Sequence, residues 1–327
     1  MKKTAKVTPK VDRPLVTIGV LTYKRPHLLP RVLESVAQQI YQPIEVIVCD
    51  NATPGDENEK VIAAFKDKIP ELRYLKHATN LGDIKSYYHL LEEAQGSFFM
   101  WLADDDEISP GFVEASVEAL EEHPNVPFSN AYCQILSDTG QYAEYQLYPE
   151  GYMDENWFRR ILVYSLVKGF CNEPLMEKYS FLYTVHRTAP LRDALAASAK
   201  NLPYWSFNKE CGSLDNLLLF EMVLQGKMLP VTRKDAVWIC HIDSEKCYYI
   251  GTEATNLATR VKKLFEFMMF GINVYSIYIK RIYNRGGFFY AFIYILLLIP
   301  LALYMLCILL RLHPQEGRWG LPYRKAP

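Results

Sequence analysis

Residues 97–106 read SFFMWLADDD, an apolar run ended by three consecutive aspartates. The run has the length and aromatic content of a buried strand. Working outward, the same pattern recurs three times upstream. Leu15–Leu21 (LVTIGVL) is a short strand interrupted by Gly19 and followed by Thr22-Tyr23-Lys24-Arg25. Ile44–Cys49 (IEVIVC) ends at Asp50-Asn51 and a Thr-Pro-Gly turn, and Leu72–Leu75 precedes the turn Asn80-Leu81-Gly82. Helical spacing fills the gaps. Pro26 opens one helix with Leu28, Leu29, Val32, Leu33 and Val36 on one face, and Val61, Ile62 and Phe65 mark a second. Tyr88, Leu91 and Ala94 mark a third, and Ser109-Pro110 caps a fourth. Strands alternating with helices at this interval predict an α/β fold with a parallel sheet and right-handed crossovers.

After about Asn125 the rhythm changes to longer, aromatic-rich segments. Trp157–Val167 and Asp215–Gln225 read as helices, the latter ended by Gly226, while Phe181–Val185, Met228–Val231 and Ala236–Cys240 read as short strands. Phe288–Leu310 is the least polar stretch, FFYAFIYILLLIPLALYMLCILL, and no Lys, Arg, Asp, Glu or His occurs between Gly286 and Leu310. As a helix it reaches about 35 Å, enough for a hydrocarbon core of roughly 30 Å, and membrane helices tolerate a central proline such as Pro300. A buried core helix is the plainer alternative, but these 23 residues offer water no polar face.

The chain has 327 residues and a formal net charge of −1, which hides an uneven distribution. Residues 257–327 carry ten Lys/Arg against Glu266 and Glu316, a balance of +8, while residues 1–256 hold 26 basic and 35 acidic residues, a balance of −9. Basic residues beside an apolar span (Lys262, Lys263, Lys280, Arg281, Arg285) suit anionic lipid headgroups at roughly 1 kcal/mol each. An acidic body speaks against nucleic acid as a partner. Seven cysteines without a CxxC pair suit a reducing compartment and offer no zinc signature. The leader MKKTAKVTPK has no apolar run, so the body is expected to stay in the cytosol.

In open α/β sheets, ligands bind beyond the carboxyl ends of the strands. A lone Asp there is usually a turn former. Asp104-Asp105-Asp106 repel one another, so placed in a cleft they favour a cation, and their hard oxygens suit Mg²⁺ or Mn²⁺ with substrate phosphates completing the shell. A solvated acidic turn is the competing explanation.

Taken in order, VTIGVLTYKRPHLLPRVLESVAQQ (16–39), IEVIVCDNAT (44–53), RYLKHATNLGD (73–83) and GSFFMWLADDDEISPGF (96–112) resemble the nucleotide-binding half of a family 2 glycosyltransferase of GT-A fold. The likeness covers roughly 15–125 and thins towards 245. It implies a mixed, mainly parallel sheet flanked by helices. It also implies a donor pocket lined by Thr22, Tyr23 and Arg25, with Asp50 on the nucleotide base, Asn80 and Gly82 as the N-x-G turn, and Lys85 near phosphate. Asp106 would hold the metal, with Asp105 or Asp104 near the ribose or donor sugar. The departures are Ala103 where an Asp is usual, Lys24 for the usual Asn, and Tyr87-Tyr88 for an Arg-Asn pair. They bear on donor identity more than on reaction class.

The same resemblance implies a catalytic base at the start of a helix in the second half, where Asp215 stands after Leu214, with Glu210 and Asp193 as fallbacks. A carboxylate at a helix N-terminus is stabilised as the anion and is chemically able to accept a hydroxyl proton. A plain helix cap explains it equally well. His241 is a further metal or diphosphate candidate. The expected protein is an inverting glycosyltransferase, dependent on Mn²⁺ or Mg²⁺, at the cytoplasmic membrane with its catalytic domain facing the cytosol. It would pass a sugar from a nucleoside-diphosphate sugar, UDP favoured, to a lipid-linked saccharide or other glycan. A polyprenyl-phosphate sugar synthase and a catalytically inactive membrane-tethered scaffold are the alternatives. The expected organisation is a leader (1–13), donor half (14–125), acceptor half (126–250), amphipathic basic region (251–286), membrane segment (287–311) and tail (312–327). No GxGxxG follows a strand, which argues against a dinucleotide oxidoreductase.

Overall fold

The computed structural model describes residues 13–137, 141–145, 154–162, 183–199, 213–242, 275–309 and 324–325. Four parallel strands make its centre: β1 (Val16–Thr22), β2 (Ile44–Asp50), β3 (Leu72–Lys76) and β4 (Phe98–Ala103). β1 lies between β2 and β4, with Val16 opposite both Ile44 and Phe98, so their carboxyl ends finish level at Thr22, Asp50 and Ala103. Crossover helices α1 (Leu29–Ala37), α2 (Glu57–Phe65) and α3 (Asp83–Glu93) connect them.

The alternation of side chains sorts the core into two layers. Val16, Ile18, Val20, Val46, Val48, Phe98, Met100 and Leu102 pack with α1 and α4 (Phe112–Glu122) on one face. Ile47, Cys49, Phe99 and Trp101 pack on the other with Leu90 and Leu91 of α3 and with the helices Thr188–Ala199 and Ser213–Gln225. Gly19 lies close under the second layer. A Cβ there would stand 3.0 Å from Phe99 Cζ and 3.2 Å from Leu90 Cβ, so even a methyl requires these side chains to yield by a few tenths of an ångström. Glu45 is the polar exception inside β2. It is held by Thr17 Oγ1 at 2.7 Å, the Gln95 amide at 3.0 Å and Arg73 at 2.8 Å, so its charge is paired rather than stranded.

The sheet is mixed rather than wholly parallel. Its order is β10-β6-β9-β4-β1-β2-β3, where β6 is Phe128–Asn130, β9 His186–Arg187 and β10 Met228–Pro230, and β9 runs antiparallel to both neighbours. Past the aspartates the chain leaves this sheet for a second one. There β5 (Glu107–Ile108), β11 (Val237–Ile242), β7 (Tyr132–Ser137), β8 (Gln141–Tyr145) and β12 (Arg324–Lys325) line up in that order.

Three local expectations shift. The first helix starts at Leu29, with Pro30 in its first turn, and Pro26 belongs to the preceding turn. Ser109 does not cap α4: its hydroxyl donates to the Asp235 carbonyl and accepts from the Val237 amide, tying the turn to β11. The strand expected at 181–185 is seen as His186–Arg187, and residues 181–182 lie outside the described set.

At the C-terminal end, a helical segment 275–286 docks on the second layer. Tyr278 stacks on Phe220 at 3.8 Å, and Arg281 reaches the buried Glu221 at 2.6 Å. Helix Phe288–Leu309 follows. Ala291 and Tyr294 are buried, whereas Phe288, Phe289, Phe292, Ile295, Leu296, Leu297 and Ile299 are exposed. Side chains from residue 300 onward in this helix lie outside the described set, and among the described residues no helix is long and apolar enough to cross a membrane.

Candidate active site

The level ends of β1, β2 and β4 open onto a cavity of about 430 Å³. Thr22, Tyr23 and Arg25 line it from β1, Asn51 from β2, Asn80 and Gly82 from the turn before α3, and Ala103, Asp104 and Asp105 from β4. Tyr87 and Tyr183 close its inner wall, their hydroxyls 3.3 Å apart.

Left-handed backbone shapes two of these loops. Lys24 has φ +56° and Ala52 φ +68°, and the Lys24 amide donates to Thr53 Oγ1 at 2.8 Å, so the turns after β1 and β2 hold each other. Gly82 has φ +84°, the backbone geometry that glycine adopts freely. Asn80 Oδ1 accepts from the Gly82 amide at 2.8 Å and from Asn51 Nδ2 at 3.0 Å, which knits the third turn to the second. The Tyr23 hydroxyl, close to Asn80 and Lys24, has its pKa lowered by them.

The charged lining residues are Arg25, Asp104 and Asp105. Arg25 Nη1 lies 3.2 Å from Asp104 Oδ1 and 2.8 Å from Asp105 Oδ2. Burial pushes the Asp104 carboxyl up to about 6, against the pull of Arg25 and the nearby Thr22 hydroxyl. Thr22 falls short of hydrogen-bond geometry, and both Thr22 Oγ1 and Asp104 Oδ2 are buried and unpaired. Arg31 donates to the Asp105 carbonyl and steadies the turn.

Asp106 stands apart from these two. It does not line the cavity and is buried behind it, with Oδ2 accepting from Trp238 Nε1 at 3.0 Å and Oδ1 from the His241 amide at 3.2 Å. Burial, reinforced by the charge of Asp105, pushes its carboxyl up to about 8. Its geometry is that of a pin between β5 and β11. His241 Nε2 meets Glu107 Oε1 at 2.7 Å, beside that pin.

Asp50 is likewise internal. It is fully buried and accepts from the Thr53 amide at 2.7 Å, Asn58 Nδ2 at 2.9 Å and the Tyr74 hydroxyl at 2.6 Å. Burial alone would raise its pKa, but these hydrogen bonds prevail and hold it below the usual carboxylate value. Its neighbour Asn51 is the residue that reaches the cavity. Lys85 is exposed on α3, outside the lining. Asp215 belongs to the first turn of helix Ser213–Gln225, and its side chain lies outside the described residues, as does Glu210.

The geometry missing from the sequence reading is the wall. Asn51 was legible as part of the strand-end pair and Tyr87 as a departure from the family pattern, but Tyr183 arrives from a distant segment that no motif marks.

A parallel core with a polar cavity at its strand ends, backed by a second mixed sheet, defines a GT-A-like α/β domain. Staphylococcus aureus TarS 1–349 shares that fold at a TM-score of 0.50 with 18% sequence identity, over 69% of this chain and 60% of that one. Residues 17–171 match the family profile described as Glycosyl transferase family 2. It is 26% identical over 157 residues to an uncharacterized glycosyltransferase of Haemophilus influenzae, covering 47% of this chain and 50% of that protein. It is also 26% identical over 159 residues to the putative colanic acid biosynthesis glycosyl transferase WcaA of Escherichia coli K12, covering 46% of this chain and 55% of that one. The chain thus spans about half the length of these two relatives.

Proposed function

We propose that the chain is an inverting, metal-dependent hexosyltransferase that moves a sugar from a UDP-sugar to a hydroxyl of a lipid-linked saccharide or other glycan. The observation that carries this reading is the pairing of Arg25 with Asp104 and Asp105 at the floor of a cavity built from strand ends. An arginine there suits phosphate oxygens. Two carboxylates beside a diphosphate repel it unless a cation intervenes. The donor set fits Mn²⁺ or Mg²⁺, because Asp104 Oδ2 is a buried oxygen without a partner and Asp105 faces the cavity. Asp104 and Asp105 would hold the ion, which when bound neutralises charge on the leaving diphosphate. UDP is favoured because TarS 1–349, at a TM-score of 0.50 and 17% identity, was crystallised with UDP-GlcNAc.

Tyr23, Asn51 and Asn80 give the base end of the donor polar contacts, and Tyr87 and Tyr183 exclude water from the inner wall. Asp215, at the start of its helix, is the proposed base that takes the acceptor hydroxyl's proton as that oxygen attacks the anomeric carbon. Attachment to the cytoplasmic face of a membrane is part of the same proposal. Its support is the row of exposed apolar side chains from Phe288 to Ile299, which continues in sequence as a run free of Lys, Arg, Asp, Glu and His to Leu310. Arg281 and Arg285 engage Glu221 and the Trp157 ring, so the remaining basic residues would carry any contact with lipid.

The test is nucleoside-diphosphate release from a panel of nucleotide sugars, with and without Mn²⁺ or Mg²⁺, in the presence of membranes supplying acceptor. Metal-dependent release with a UDP-sugar, lost in Asp105→Asn and Asp215→Asn, is the expected result. Activity that survives Asp215→Asn points to an acceptor phosphate, which needs no base, and so to a polyprenyl-phosphate sugar synthase. Absence of release and of nucleotide binding overturns the reading.

A further inference from the structure

Behind the base end of the donor cavity, three elements bring one thiol and two imidazoles together. Cys49 is the penultimate residue of β2 and is fully buried. His77 follows β3, its amide donating to the Asp50 carbonyl at 2.9 Å, and His89 stands in α3. Cys49 Sγ is 3.4 Å from His77 Nε2, and His77 Nε2 is 2.8 Å from His89 Nδ1. All three ligand atoms lie within 4.8 Å of one another. We propose that Cys49, His77 and His89 bind a divalent cation of zinc type, separate from the ion expected at Asp104 and Asp105.

The argument is one of geometry and ligand chemistry. A tetrahedral ion with bonds of about 2.3 Å to sulfur and about 2.0 Å to nitrogen sets sulfur and nitrogen about 3.5 Å apart and two nitrogens about 3.3 Å apart. The Cys49–His77 sulfur–nitrogen distance already matches, the histidines need to part by about half an ångström, and His89 Nδ1, within 4.8 Å of Cys49 Sγ, needs to close by at most about 1.3 Å. The nitrogens turned away from the cluster also have oxygen neighbours. His77 Nδ1 lies 3.5 Å from Asn51 Oδ1, and His89 Nε2 lies 3.8 Å from Glu93 Oε1. The Asn51 carbonyl, at the limit of hydrogen-bond distance, favours the Nδ1–H tautomer that leaves His77 Nε2 free to ligate, while Glu93 lies beyond hydrogen-bond reach of His89. A thiolate with two imidazoles prefers zinc-like ions over Mg²⁺ or Mn²⁺, so the two sites sort their metals by softness. Three protein ligands leave the fourth position for water, reached from the half-exposed histidine side.

The consequence for the cavity runs through Asn51. Its Oδ1 also accepts the Leu81 amide at 2.8 Å, and its Nδ2 holds Asn80. A cation that fixes His77 therefore braces the turns beside the donor's base. This assignment stands whether or not the chain transfers a sugar, because it is read by metal binding alone.

The test uses the full chain, stripped by a chelator and titrated with Co²⁺ as a spectroscopic stand-in for zinc. One equivalent is expected to give a thiolate-to-cobalt charge-transfer band and intense tetrahedral d–d bands, both erased by Zn²⁺. Cys49→Ser should abolish the charge-transfer band, His89→Gln should weaken binding about 10-fold or more, and Asp105→Asn should leave the spectrum unchanged. No band at stoichiometric Co²⁺ overturns the proposal, and so does a band that persists undiminished in Cys49→Ser, since that thiolate is then another of the seven cysteines. Should Cys49→Ser fail to fold, His77→Gln combined with His89→Gln, both at partly buried positions, decides the matter by the same band.

Discussion

The turn after β2 and the turn after β4 each present an aspartate at the end of a buried strand, and their electrostatics are opposite. Asp50 gives both oxygens to Thr53, Asn58 and Tyr74, and its carboxyl is held below the usual value. Asp104 has one buried oxygen unpaired, and burial lifts it to about 6. A carboxylate saturated by its own fold is architecture. One left short of donors in a cavity has an oxygen free to meet a ligand or water. Asp106 shows that adjacency in sequence does not decide the matter, since one residue further on its oxygens turn inward to Trp238 and the His241 amide.

The sharpest way to break this contrast is to remove one charge from each turn and read activity and stability separately. Asp105→Asn is expected to lower sugar transfer by roughly 10²–10³-fold, about 2.7–4 kcal/mol, with thermal unfolding unchanged because Asp105 is partly exposed. A loss below 10-fold would place the donor's diphosphate elsewhere. Asp50→Ala should do the reverse. It strands three buried donors, which costs about 3 kcal/mol and lowers Tm by about 4–5 °C for a chain of this size, as calorimetry would read.

This contrast also marks how far the sequence could be read. Alternating strands and helices over 15–103, and the strand-end positions of Thr22, Asp50 and Asp104, follow from local periodicity, and all four central strands form within a residue or two of their expected bounds. Which face of a turn a carboxylate takes does not follow, because it depends on partners far along the chain. Asp106 is claimed by Trp238, 132 residues away. Asp50 is claimed by Asn58 and Tyr74, which carry no motif. The antiparallel insertion of β9 and the pairing of the second sheet were illegible for a related reason. β9 has two residues and β6 three, too short to show a period, and although Ala236–Cys240 was legible as the strand seen at β11, the partners a strand takes are a tertiary event.

A cation titration sharpens the comparison at an intermediate scale. Mn²⁺ at about 100 times its Kd should stabilise the fold by about 2.7 kcal/mol. Asp104→Asn should abolish that gain, while Asp50→Asn should lower overall stability and leave the Mn²⁺ increment in place. Thermal shift with and without the ion separates these outcomes. A gain that survives Asp104→Asn would mean that the unpaired oxygen is not a ligand. The Cys49 cluster is a poor refuge for the ion, since Mn²⁺ is too hard for thiolate and imidazole.

The smallest effect is expected where the turns after β1 and β2 join. Thr53 contributes its amide to Asp50 and its hydroxyl to the amide of Lys24, a residue held at φ +56° between the two pocket residues Tyr23 and Arg25. Thr53→Val keeps the shape and the first bond but removes the acceptor for the second. One hydrogen bond at a partly buried site is worth about 1 kcal/mol, so Tm should fall by only about 1–2 °C. The kinetic signature should be more telling. With nothing holding Lys24 in its left-handed conformation, Tyr23 and Arg25 lose their fixed orientation, and KM for the donor should rise several-fold while kcat changes little. A fall in kcat at constant KM would mean that the strained turn acts on the transition state rather than on donor binding.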